Sequence, residues 1–160
     1  MKCIPLLLSL ALSLVLTAVA EDRASQSPEE TFRRFMISML RNDAEGVKAT
    51  ILPAEGADFL WQGEPPPKQM QTEIEKTFQG LKLVRIQEGE KVSLPSGKDL
   101  TVEKGMIDEK KILVWAEINN ERMPTPFWMV KTADGWRVDA GPLIAARKAA
   151  ARARGQERAK

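Results

Sequence analysis

Between residues 27 and 80 the apolar positions of this chain recur at three- and four-residue intervals, and after residue 80 they alternate. The first pattern predicts helices. Ser27-Pro28-Glu29-Glu30 opens one: Ser27 can cap, Pro28 has a φ suited to the first turn, and Glu30 stands three residues on to complete a capping box. Phe32, Phe35, Met36, Met39 and Leu40 then follow the i, i+3, i+4, i+7, i+8 spacing of a single apolar face. Asn42-Asp43 stops this helix and caps a shorter second one, reaching about Leu52 before Pro53 intervenes. Phe59-Leu60-Trp61 fits either one helical turn or a small strand. Pro65-Pro66-Pro67 leads into a third helix in which Met70, Ile74 and either Thr77 or Phe78 share a face, with Gly80 as its stop.

The alternating half predicts strands at residues 81–87, 91–94, 100–102, 111–118, 123–131 and 136–140, separated by turn pairs such as Ser96-Gly97, Asn119-Asn120 and Asp134-Gly135. Asp134-Gly135 is the strongest hairpin signal, since Asp-Gly suits the positive φ values of a type I′ turn between Trp128-Met129-Val130 and Trp136-Arg137-Val138. Pro124 and Pro126 cannot donate to a ladder, so the fifth strand is expected to begin at an edge or a bulge. No internal repeat is present.

Helices first and antiparallel strands afterwards describe an α+β domain spanning 27–144, with three N-terminal helices packed on one face of a curved, mainly antiparallel sheet. This order resembles the nuclear transport factor two-like superfamily, the cystatin-like, cone-shaped fold shared with ketosteroid isomerase and scytalone dehydratase. The resemblance is carried by Ser27-Pro28-Glu29-Glu30 with Phe32, Phe35 and Met36, and by Phe127-Trp128-Met129-Val130 with Asp134-Gly135-Trp136-Arg137-Val138. It implies an apolar pocket between helices and sheet, which members use for catalysis, ligand binding or protein contact. Fold likeness alone does not choose among these.

The N-terminus adds a compartment. Lys2, a Leu-rich apolar run over residues 4–19 and Ala18-Val19-Ala20 match a secretory signal peptide of residues 1–20, leaving Glu21 as the mature start and 21–26 as a short linker. The protein is then secreted or periplasmic. The competing reading is an uncleaved anchor, because an apolar run of about 17 residues touches the lower limit for a bilayer span. Cys3 is the only cysteine, so the mature chain has no thiols and no disulfides.

The chain contains no histidine and no tyrosine, which leaves carboxylates and lysines to move protons. Glu117 and Asp139 are the weak catalytic candidates: either, buried in an apolar pocket, could act as a base in an isomerase- or dehydratase-like reaction. The plainer alternative is that they face solvent, with Arg137 and Asp139 as an exposed same-face pair. No nucleophile elbow, phosphate-cradling loop or spaced acidic ladder occurs, so no cofactor and no metal are expected. Phe35, Met39, Trp61, Trp115 and Trp128 are the candidate ligand-binding residues, in a pocket for an apolar or carbohydrate-like molecule; the alternative is that they fill the core.

Two further expectations concern partners. Ile112, Val114, Ala116 and Ile118 lie on one side of their strand, and Leu113 with Trp115 on the other. Helices cover one face only, so a homodimer through the outer sheet face is expected. Residues 147–160 carry six positive side chains and one negative, a net +5, against −4 for residues 3–146. The Ala/Arg-rich tail, 145–160, is helix-favouring and can meet an anionic surface; the alternative is a frayed end. Nucleic acid fits the charge but not the compartment. Three functions follow: a non-enzymatic binding domain for a small apolar molecule or protein partner, which the missing side chains favour; a pocket enzyme using a buried carboxylate; or a self-associating envelope module with a basic tail.

Overall fold

The structure, a computed structural model, describes residues 27–157; the expected signal peptide and linker lie outside the described residues. The chain is α+β, with a mostly antiparallel sheet and four α-helices among the described residues. In chain order these are α1 (Pro28–Leu40), α2 (Ala44–Lys48), a 3-10 turn (Asp58–Trp61), α3 (Lys68–Phe78), β1 (Lys82–Arg85), β2 (Lys91–Ser93), β3 (Asp99–Thr101), β4 (Lys111–Ile118), β5 (Glu121–Arg122), β6 (Phe127–Thr132), β7 (Gly135–Val138) and α4 (Gly141–Glu157).

Helix α1 starts as its sequence dictates, the Glu30 amide donating to Ser27 Oγ at 3.1 Å with Pro28 in the first turn. The Glu30 carboxylate pairs with Arg33. Of the expected apolar face, Phe32, Phe35 and Met36 are buried, Met39 is half-buried and Leu40 is exposed. Burying each phenylalanine contributes about 1.5–3 kcal/mol. The Phe32 ring meets Phe127 edge-on at 4.7 Å, which fixes α1 against β6. Helices α2 and α3 pack chiefly against α1. Arg33 Nε donates to the Phe78 carbonyl at 3.0 Å, while Arg41 reaches the Gln71 carbonyl at 3.0 Å and Glu75 at 2.8 Å.

Helix α2 ends at Lys48, four residues short of the expected Leu52. Its start is as expected, Asp43 Oδ1 accepting from the Gly46 amide at 3.0 Å. Its end is set by the sheet: Ile51 forms a parallel bridge with Val138, and Leu52 N and Val138 N donate to Val138 O and Thr50 O at 2.9 and 2.8 Å. Helix α3 is present as expected, but Gly80 does not take a positive φ. Phe59-Leu60-Trp61 is the helical alternative, a 3-10 turn.

The strands do not form one meander. Strands β1, β4, β6 and β7 pair in that order, with β5 also on β4, and β2–β3 is a separate two-stranded sheet. Strand β4 is the central strand and matches its expected limits. Between Val114↔Phe127 and Glu117↔Arg122, β4 uses two residues where its partner uses four, so Pro124 and Pro126 sit in a bulge. The turn chemistry differs from expectation. Asn119 and Asn120, with φ of 53° and 67°, make the type I′ turn between β4 and β5. At the other hairpin Thr132 pairs with Gly135, Ala133 and Asp134 keep non-positive φ, and Gly135 alone is at 104°.

Two cores result, one on each face of the sheet. Ile112, Val114, Ala116, Phe127, Met129, Trp136 and Val138 meet α1 on the first. Leu113 and Trp128 meet Ile86, Val92 and Val102 on the second, with Trp115 at its margin. The apolar face for which a homodimer was expected is thus covered by the chain's own β2–β3 hairpin: Leu113 is 0% exposed and Trp128 8%. No second copy is needed to bury them.

Candidate functional site

Both candidate carboxylates are held by neighbouring donors. Glu117 lies on the hairpin side of β4, where its Oε1 accepts from Arg122 Nε and Nη2 at 3.1 and 3.0 Å. Arg122 in turn stands 5.4 Å from the Trp115 ring. Asp139 follows β7 and accepts from the Gly141 amide at 2.9 Å, supporting the start of α4. Arg137 does not pair with it; the guanidinium donates to the Trp136 carbonyl at 2.9 Å. Both carboxylates have structural partners.

The five candidate ligand residues do not converge. Phe35, Met39 and Trp61 belong to the helix-side core, and Trp115 and Trp128 to the hairpin-side core. The sheet separates them. Phe35 is fully buried, whereas three of the tryptophans stack on cations: Lys48 over Trp61 at 5.6 Å, Arg122 over Trp115 at 5.4 Å and Lys111 over Trp128 at 4.8 Å. The expectation of one aromatic pocket therefore gives way to core and surface roles.

Among the described residues, an arrangement that can take a ligand lies between the 3-10 turn and α4. The turn is fixed from below: Ala57 and Leu60 are buried, and Leu60 N donates to Ala57 O at 2.9 Å. This leaves Phe59 half-buried and Asp58 and Gln62 exposed. Across from it, α4 is anchored by its first turn, where Ile144 is 7% exposed and Leu143 packs on the helix-side core. Beyond Ile144 the helix is held by composition, since Ala and Arg are strong helix formers. The tail expected to begin at 145 is therefore the continuation of a helix that starts at Gly141.

A cleft of about 290 Å³ opens between these elements, lined by Asp58, Phe59 and Gln62 on one side and Ile144, Arg147 and Lys148 on the other. The Arg147 guanidinium lies 4.4 Å from the Phe59 ring centroid, a cation–π contact that orders both side chains. Two cations face one carboxylate across an apolar base, so the cleft attracts negative charge. Two larger clefts lack that bias. The one of about 480 Å³ near Ile118 holds Glu121 and Arg122, with Arg122 already tied to Glu117. The one of about 320 Å³ holds Arg85 with Glu88 and Asp108, and Asp108 accepts two backbone amides at 2.7 Å.

Asp58, Phe59, Gln62 and Ile144 were not among the residues expected to bind, whereas Arg147 and Lys148 belong to the tail expected to meet an anionic surface. The basic composition of the tail and the Phe59-Leu60-Trp61 run were visible, but nothing local to either places them side by side. Leu60 caps the core while Phe59 lines the cleft. Among the described residues no group of acidic, histidine or cysteine side chains could hold a metal. No known protein family, curated protein or solved structure matches the chain.

Proposed function

We propose that this chain is a non-enzymatic binding module working outside the cytoplasm, in which the cleft between the 3-10 turn and α4 takes a negatively charged group of a ligand or protein partner. The observation that carries this reading is the pairing of Arg147 with Phe59 beside Lys148: an apolar, aromatic surface, one stacked guanidinium and a second cation in one cleft. A guanidinium can hold a carboxylate, sulfate or phosphate by two parallel hydrogen bonds while keeping its stacking contact. The compartment rests on residues 1–20, and no helix among the described residues is long and apolar enough to cross a membrane.

The cone-like architecture belongs to the same reading, with α1, α2 and α3 as a helical layer against the inner sheet face. In this scheme the layer is scaffold: Phe32, Phe35 and Met36 fill it with side chains. An isomerase- or dehydratase-like reaction has less support, because Glu117 is held by Arg122 and Asp139 by Gly141.

Titration with galacturonate at low ionic strength, followed by amide chemical shifts, tests the proposal. Saturable shifts are expected at residues 56–62 and 144–148, with affinity about tenfold lower in R147Q/K148Q, the effect of losing two charge-assisted contacts. Binding that both substitutions leave unchanged, or shifts centred on Glu117 and Trp115, would refute it.

A further inference from the structure

We infer that the ligand of this cleft is an extended acidic polysaccharide, which runs from the 3-10 turn outward along one cationic face of α4. The inference rests on the cleft reading above and adds the class and length of the ligand. At about 100° per residue, Arg147, Lys148, Arg152 and Arg154 fall within an arc of about 160° around the helix axis. Ala145, Ala146, Ala149, Ala150 and Ala153 occupy the opposite arc. The helix therefore sorts charge by face, which a merely solvated Ala/Arg end has no reason to do.

All four cations are exposed, and among the described residues none of the four is in an ion pair. Arg147 stacks on Phe59, and Arg154 Nε makes only a long contact to the Ala150 carbonyl at 3.4 Å. From Arg147 to Arg154 the helix rises about 10.5 Å, beyond the reach of a single carboxylate or sulfate. One negative group can satisfy Arg147 and Lys148 but not Arg152 and Arg154 as well. A chain with a negative group on each repeating unit can meet all four, and each added contact is intramolecular once the first has formed.

The same face argues against a bilayer. An interfacial helix needs an apolar stripe to insert, and beyond Ile144 this arc offers only Ala151 between its cations. The 3-10 turn also stands beside the arc, so the surface is a channel wall rather than a plane.

The test compares galacturonate with a long oligogalacturonate at low ionic strength, by calorimetry on the mature chain, the R147Q/K148Q variant and the R152Q/R154Q variant. The altered residues are exposed, and far-UV dichroism establishes that each variant is folded. The unaltered protein is expected to bind the long chain at least about tenfold more tightly than the monomer. R152Q/R154Q should lose about tenfold for the long chain and nothing for the monomer, while R147Q/K148Q should lose both. Equal affinity for monomer and chain overturns the polymer assignment and leaves the cleft reading standing. Failure of both ligands to bind overturns both readings. Tighter binding to phosphatidylglycerol vesicles or to duplex DNA than to the long chain, at equal salt, overturns the choice of polysaccharide.

Discussion

Truncating Leu113 to alanine probes the second core without touching the first. Leu113 is 0% exposed on the hairpin side of β4, paired with Trp128 and packed against side chains of the β2–β3 hairpin region. Leu→Ala at such a site costs about 2–5 kcal/mol, combining lost transfer energy with the cavity that remains. Taking about 3 kcal/mol, and an unfolding entropy of about 2.1 cal/mol/K per residue over residues 27–157, the midpoint should fall by about 10 °C. Val84→Ala on the adjacent strand is the control: Val84 is 37% exposed and its truncation should cost under about 0.5 kcal/mol. Thermal melts at two well-separated protein concentrations supply the assay, with amide exchange across β2 and β3 as the local readout. The covered-face account requires the same fall at both concentrations and faster exchange in the hairpin. A fall of under about 2 °C, or one that depends strongly on concentration, would refute it, because Leu113 would then be uncovered or buried by a second copy.

Two other substitutions test local claims. Gly46→Ala, which in an ordinary helix gains about 1 kcal/mol, should here lose about 2 kcal/mol in urea melts, because its Cβ would lie 2.2 Å from Ser38 Oγ, 2.3 Å from the capping Asp43 Oδ2 and 2.8 Å from Ser38 Cβ; a stabilised variant would contradict the α1–α2 packing. Asn120→Val should cost about 1–2 kcal/mol by forcing a branched side chain to φ near 67°, whereas Asn120→Gly should be neutral or better; equal stabilities for the two would mean that the β4–β5 turn is not type I′.

Much of the fold is legible in the sequence where one local signal dominates. The Ser27 cap, Pro28 and the apolar spacing of Phe32, Phe35 and Met36 specify α1 without outside help. Strand β4 is legible for a different reason, since Ile112, Val114, Ala116 and Ile118 alternate along it with Leu113 and Trp115 between them, and most of these are buried. Other features depend on partners distant in sequence. Helix α2 stops early because Val138 draws Ile51 into a bridge, and β5 is too short at two residues to show any alternation. Which strand pairs with which is likewise not local: β2 and β3 show the same alternation as β1 and β4, yet they fold back over Leu113 instead of extending the sheet.

The site was less legible than the fold. Aromatic residues drew the expectation of a pocket, but alternation along β4 and β6 puts Trp115 and Trp128 on the face opposite Phe35. The tail looked unanchored because its apolar content ends at Leu143 and Ile144. Those two residues, seated on the helix-side core, are what bring Arg147 over Phe59. Charge composition marked the right segment, and packing supplied its neighbour.

Amide chemical-shift mapping with a long oligogalacturonate tests the central claim most directly, since it reads every described element at once. The account predicts shifts confined to residues 56–62 and 144–154, with the amides of Trp115, Trp128 and Phe35 unmoved. Shifts centred on Phe35 and Met39, or on Trp115 and Trp128, would contradict it.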